Sequence, residues 1–179
     1  TLARLTLDMK ASVRRNAAMH ARTPIAALLS LVEDTEALVV GALASRCFPS
    51  AELFGRLARH KNPYVRGRVA ENALTPRSVC LWLAGDEAYP VRSGMAANPS
   101  APMSALVMLA DDPEPAVRRK VALSAATPAA CLSRLAHDED ADVRCGVAHN
   151  QHTEIADLLR LAADEDAGVR FHVLVNPAT

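Results

Sequence analysis

Seven valines, Val13, Val39, Val65, Val91, Val117, Val143 and Val169, follow one another at a constant spacing of 26 residues. Eight residues before each stands a leucine: Leu5, Leu31, Leu57, Leu83, Leu109, Leu135 and Leu161. Such agreement, with no insertion anywhere, is not chance. A fixed period of this length marks a chain built from one supersecondary unit repeated, each unit covering its neighbour's apolar face. Other columns are nearly as regular. Asp8, Asp34, Asp86, Asp112, Asp138 and Asp164 stand five before the valine, with His60 the exception, and Arg14, Arg66, Arg92, Arg118, Arg144 and Arg170 follow it directly, with Val40 the exception. Asn72, Asn98, Asn150 and Asn176 lie seven after it, and Thr-Pro recurs at 23–24, 75–76 and 127–128.

Each unit reads as two short helices. Aromatic residues make up only 3% of the chain while 50% is hydrophobic. That balance suits closely packed small helices and offers strands little of the aromatic material they favour. Thr-Pro reads as a helix start, with threonine capping free amides and proline at the first helical position. The first helix then runs through Leu109-Ala110 and its equivalents to the aspartate turn. The second begins near Pro63, Pro90 or Pro115 and buries the valine with residues such as Val121 and Ala122 on one face. It ends at the asparagine, which tolerates a left-handed cap. Helices of about ten residues are marginal alone, so the stack must stabilise them. Residues 1–179 thus form a single repeat array, and because Thr1 falls inside a unit, a stretch of a longer array or protein is expected.

Twenty basic and twenty acidic residues cancel, so no whole-molecule field announces nucleic acid or an anionic membrane. No apolar run approaches the roughly 18 residues of a membrane span, and no membrane partner is expected. Neither a nucleophile elbow, nor a phosphate-binding glycine loop, nor a zinc-protease helix motif is present. Nothing in the residues points to an enzyme.

The pattern running from Leu132 through Leu135-Ala136, Asp138, Asp140, Val143-Arg144, Val147-Ala148 and Asn150 to Thr153 resembles the leucine-rich repeat variant family. It is also similar to HEAT repeats, where an aspartate six residues before an arginine builds a polar ladder, as Asp112 and Arg118 are spaced here. The resemblance implies an all-α, right-handed superhelical solenoid of seven two-helix units, in which one helix of each pair can be of the 3-10 type. It also implies that a four-cysteine iron–sulfur domain can precede the repeats. No clustered cysteines stand in this chain, so no cofactor is expected within it, and an iron–sulfur cluster would belong to an upstream domain.

Recurrence decides how the charged columns are read: a residue needed once per unit usually serves the unit. The aspartates and arginines are therefore expected to pair with one another and with turn backbone, in a contact only partly buried. Asp34 and Arg66, whose own units lack the partner, are expected to pair across to a neighbour. The asparagines read as a C-cap ladder. Cys47, Cys80, Cys131 and Cys145 occupy four different columns. Bridging needs Cα atoms within about 7 Å, so free thiols and a reducing, cytoplasmic setting are expected. The Asp138, Asp140, Asp142 run lacks the glycine and distal glutamate of a calcium loop and reads as a turn, with no metal expected.

Two features are not required by the repeat. The positions two and three after the valine are expected to face outward on the second helix, and they hold Arg15, Arg68, Arg119 and Lys120, with no acid among them. Their small residues suggest a curved inner face with mild positive charge. Nine before the valine, Trp82 and Met108 come from adjacent units with arginine on either side, the composition of a protein-binding hot spot. The alternative is that Trp82 folds onto the neighbouring first helix. The leading functional expectation is a non-enzymatic scaffold for a protein partner. Nucleic-acid binding by a HEAT-like solenoid, or the repeat tail of an iron–sulfur protein, are the alternatives.

Overall fold

The computed structural model describes residues 1–46 and 50–179, so the reading of Cys47 lies outside the described residues. Among the described residues the chain is all-α, with fourteen α-helices and a single 3-10 turn, Leu31–Glu33. The first compact unit, Thr1–Gly94, holds α1 (Leu2–Leu5), α2 (Ala11–Met19), α3 (Ile25–Ser30), α4 (Ala37–Ser45), α5 (Ala51–Ala58), α6 (Pro63–Ala70) and α7 (Arg77–Ala84). The helix α8 (Tyr89–Ala96) spans the division at Gly94. The second unit, Met95–Thr179, holds α9 (Met103–Leu109), α10 (Pro115–Leu123), α11 (Ala129–Leu135), α12 (Ala141–His149), α13 (Ile155–Leu161) and α14 (Ala167–Leu174). Both helices of each pair are α-helical, and the 3-10 form appears only where α3 tightens into its turn. No described helix is long and apolar enough to cross a membrane.

The repeat columns are the core. Leu31, Leu57 and Leu83 in the first unit and Leu109, Leu135 and Leu161 in the second are buried, as are Val39 through Val169. Leu5, in the terminal α1, is the exposed member. Second helices pack on second helices: α2 against α4 and α4 against α6 in the first unit, α10 against α12 and α12 against α14 in the second. The third position after the valine therefore does not face outward, as the sequence suggested. A Cβ on Gly146 would stand 3.0 Å from the Cβ of Ala122 and 3.2 Å from the carbonyl of Arg119. Small residues there let α12 approach α10 closely.

Two local signals carry different bonds from those expected. Pro24, Pro76 and Pro128 are themselves the N-caps of α3, α7 and α11, so each cap falls one residue later than the sequence suggested. The threonine before each is buried and donates backward: Thr23 Oγ1 to Ala17 O at 2.7 Å, Thr75 to Val69 O and Thr127 to Val121 O at 2.6 Å. The hydroxyl thus adds a second bond to a carbonyl in the last turn of the preceding second helix, one that already accepts a backbone amide. The asparagines form a ladder, but not through a left-handed cap, since no described residue has positive φ. Asn150, at φ −71°, ψ 124°, sends its amide to Ala122 O (2.6 Å) and Ser124 O (3.0 Å) of the preceding repeat while its Oδ1 accepts from His152 N. Asn72 and Asn176 do the same to Ala44 and Arg46 and to Ala148 and Asn150. At Asn72, Asn150 and Asn176 one buried side chain thus ties a turn to the one before.

Candidate functional site

The arginine after each valine lies at the start of its second helix, where a long side chain reaches the turn of the next repeat. Arg118 donates Nε to Asp138 Oδ2 at 2.7 Å and Nη2 to Asp138 Oδ1 at 2.8 Å, a bidentate pair, while Nη1 donates to the carbonyls of Asp112 and Pro113. Arg144 and Asp164 repeat it in the second unit, and Arg14 with Asp34 and Arg66 with Asp86 in the first. So the aspartate six before the arginine gives its backbone carbonyl, and the carboxylate comes from twenty residues ahead. Asp34 and Arg66 are therefore not orphans of their own units. The rungs are also more buried than expected: side-chain exposure is 11% and 7% for Arg118 and Asp138, and 8% and 3% for Arg66 and Asp86.

The carboxylates sit below their usual range. At Asp34 and Asp164 the arginine hydrogen bond is the largest cause and outweighs burial. At Asp86 and Asp138 burial is the largest influence and pushes upward, but the arginine bonds, a backbone amide and the positive charge together overcome it. Each aspartate also accepts a turn amide two residues on, as Asp138 does from Asp140 N at 3.0 Å. Asp140 caps α12 through the amides of Asp142 and Val143. Of the acidic run in that repeat, Asp138 is thus committed to a rung and Asp140 to a cap, while Asp142 is exposed. Among the described residues no group of three or more histidines, cysteines or acids could hold a metal ion.

The twenty-residue reach makes sense of the two exceptions. Val40 and His60 are the two ends of one absent rung. Val40 is fully buried, and the His60 ring keeps only the turn bond, its Nδ1 accepting from Asn62 N at 3.1 Å. Around this position three adjoining clefts of about 280, 660 and 400 Å³ open in the first unit. Arg59 lines all three, Trp82 the first two, and His60 and Lys61 the last two. The periodicity reading singled out Trp82 but passed over Arg59 and Lys61, because they fall in columns that vary. Read across units, those columns carry the signal.

The other residues picked from the sequence are distributed as follows. Arg15 and Arg119 are exposed and make no ion pair among the described residues. Lys120 is half-buried. Arg68 is engaged: its Nε donates to Ser45 Oγ and its Nη1 pairs with Glu71 at 2.6 Å. Trp82, in the first unit, is 50% exposed and Met108, in the second, 51%. The neighbouring arginines of that column have partners of their own, Arg56 with Glu52 and Arg134 with Asp111. Cys80, Cys131 and Cys145 are free thiols. Burial raises the Cys80 thiol, and burial followed by nearby carboxylates raises Cys145.

Repeated helix pairs joined by these rungs define a helical-repeat protein. No family model matches the chain, and no curated protein matches it. Among solved structures it is similar to one described as a leucine-rich repeat variant with a novel repetitive protein structural motif. The two are 24% identical over 97% of this chain and 79% of the other, with a TM-score of 0.45.

Proposed function

We propose that this chain is a non-enzymatic repeat scaffold whose ligand is a protein, working without a cofactor of its own in a reducing compartment such as the cytoplasm. The reading rests on where apolar surface is left over. Leu81 and Trp82 on α7, and Val107 and Met108 on α9, are exposed although each helix buries its other side in its own unit. The repeat's charged residues, by contrast, are largely committed to rungs. Exposed apolar pairs on rigid helices, with arginine nearby, are the material of protein–protein contacts. The free thiols Cys80, Cys131 and Cys145 suit a reducing setting.

The runner-up is nucleic-acid binding through Arg15, Arg68, Arg119 and Lys120, favoured by the exposure of Arg15 and Arg119. Two baits compared in extract of the source cells separate the readings: wild type and Trp82→Ala/Met108→Ala. A protein retained by the first and lost from the second supports the scaffold. A third variant, Arg68→Glu/Arg119→Glu/Lys120→Glu, tests the alternative in a salt series on DNA. Affinity that falls steeply with salt and disappears only in this variant would replace the protein-binding reading.

A further inference from the structure

The turn that precedes each second helix spans the aspartate column and the variable position on either side of it, six to four residues before the repeat valine. Outside the third repeat they read Leu7-Asp8-Met9, Glu33-Asp34-Thr35, Gly85-Asp86-Glu87, Asp111-Asp112-Pro113, His137-Asp138-Glu139 and Ala163-Asp164-Glu165. Each holds an aspartate and none holds lysine or arginine. The third repeat reads Arg59-His60-Lys61. Its sign is reversed. At three rungs a glutamate beside the aspartate stays solvated near the arginine, as Glu87 does 3.5 Å from Arg66 with 90% of its side chain exposed. The absent rung has Val40 of the second repeat in place of the arginine and His60 of the third in place of the aspartate, and Lys61 follows where three other repeats hold glutamate.

The reversal falls where the surface opens. The clefts around Arg59 are floored by small and apolar residues, Gly55, Ala58 and Val79, and walled by Leu81 and the exposed ring of Trp82. Neither Arg59 nor Lys61 has a carboxylate within ion-pair distance among the described residues, whereas Arg56 is held by Glu52 and Arg66 by Asp86. Unpaired cations beside an exposed indole, over an apolar floor, complement a ligand that carries negative charge next to an apolar side chain.

Resting on the protein-binding reading above, we propose that this cleft docks an acidic segment of a protein partner. Its carboxylates pair with Arg59 and Lys61, and a neighbouring apolar side chain covers Trp82. A nucleic-acid strand fits less well. Two cations, Arg59 and Lys61, can meet a discrete acidic group but not a phosphate at every unit of a strand, with Glu33 and Glu87 standing beyond them, and a single tryptophan gives no succession of stacking platforms.

Trp82 is the only tryptophan in the chain, so its emission reports this cleft directly. The probe is a short synthetic peptide of glutamates flanking a leucine–phenylalanine pair, set beside its lysine counterpart and a thymidine oligonucleotide. The acidic peptide is expected to change the emission saturably. Arg59→Gln/Lys61→Gln should weaken it about tenfold or more, while Arg119→Gln/Lys120→Gln leaves it unchanged. Thermal melts followed by circular dichroism confirm that both variants fold. The proposal is overturned by no saturable change, by an equal response to the lysine peptide, by tighter binding of the oligonucleotide, or by full affinity in the Arg59/Lys61 variant. A partner that the wild-type bait retains and the Trp82/Met108 variant loses, together with any of those four results, removes this cleft and leaves the scaffold standing.

Discussion

At Arg118 and Asp138 the repeat closes a rung with two charge-assisted bonds, and both side chains are nearly sealed from water. At Val40 and His60 the same two columns hold a buried apolar residue and a histidine that serves only its own turn. Both places fold as helix pairs. The rung is therefore one way to finish the joint between repeats, not a condition for making the joint. A matched loss costs little, because no charge is left buried alone. Losing one end is another matter, which explains why the two exceptions occur as a pair twenty residues apart rather than singly.

Restoring one end of the absent rung alone should do the most damage. Val40 is 0% exposed, so Val40→Arg buries a guanidinium facing a histidine and should cost about 3–5 kcal/mol in denaturant titration. Adding His60→Asp should return a large part of that loss. No recovery in the double variant would mean that Val40 and His60 are not two ends of one joint.

Next come the two columns that hold an intact repeat together. Leu109 is 1% exposed, and Leu109→Ala should cost roughly 2–5 kcal/mol through the cavity left behind. Arg118→Ala should cost about 2–3 kcal/mol, less because Asp138 keeps its turn amide and some water. Chemical denaturation of both variants gives the order directly.

Acid tests the rungs without mutation. Asp34, Asp86, Asp138 and Asp164 all titrate below the ordinary carboxylate range. A depressed folded-state value contributes stability above the unfolded carboxylate pKa, and that stability is lost as pH falls through the folded value. Stability should thus hold at neutral pH and decline below about pH 4. Arg118→Ala, with one rung fewer, should decline less steeply than wild type, and equal slopes would separate the rungs from the acid response. The smallest effect is expected at the absent rung: His60→Ala removes one turn hydrogen bond, about 0.5–1.5 kcal/mol, in the same titration.

Much of this was legible in the residues. The leucine and valine columns named the core because burial selects the same residue at the same phase of every repeat. The rungs were readable as pairs but not as to which partner: spacing within a repeat suggested Asp112 with Arg118. The three-dimensional stack instead brings Asp138 alongside and leaves Asp112 to give its carbonyl. Thr-Pro misled by one residue because a threonine hydroxyl can accept from the helix ahead or donate to the helix behind, and only the folded turn decides. Arg59 and Lys61 were hidden for the opposite reason. Periodicity directs attention to columns that repeat, and these two residues, which line the clefts, stand in columns that do not.

The charged columns join repeat to repeat through rungs such as Arg118 with Asp138. A double-mutant cycle on Arg118→Ala and Asp138→Ala, read by chemical denaturation, measures this most directly. Coupling of about 1–3 kcal/mol between residues twenty apart, with no change in affinity for a partner that wild type binds, is the expected result. Additive losses with no coupling, or a partner lost when either residue is replaced while the fold persists, would contradict it.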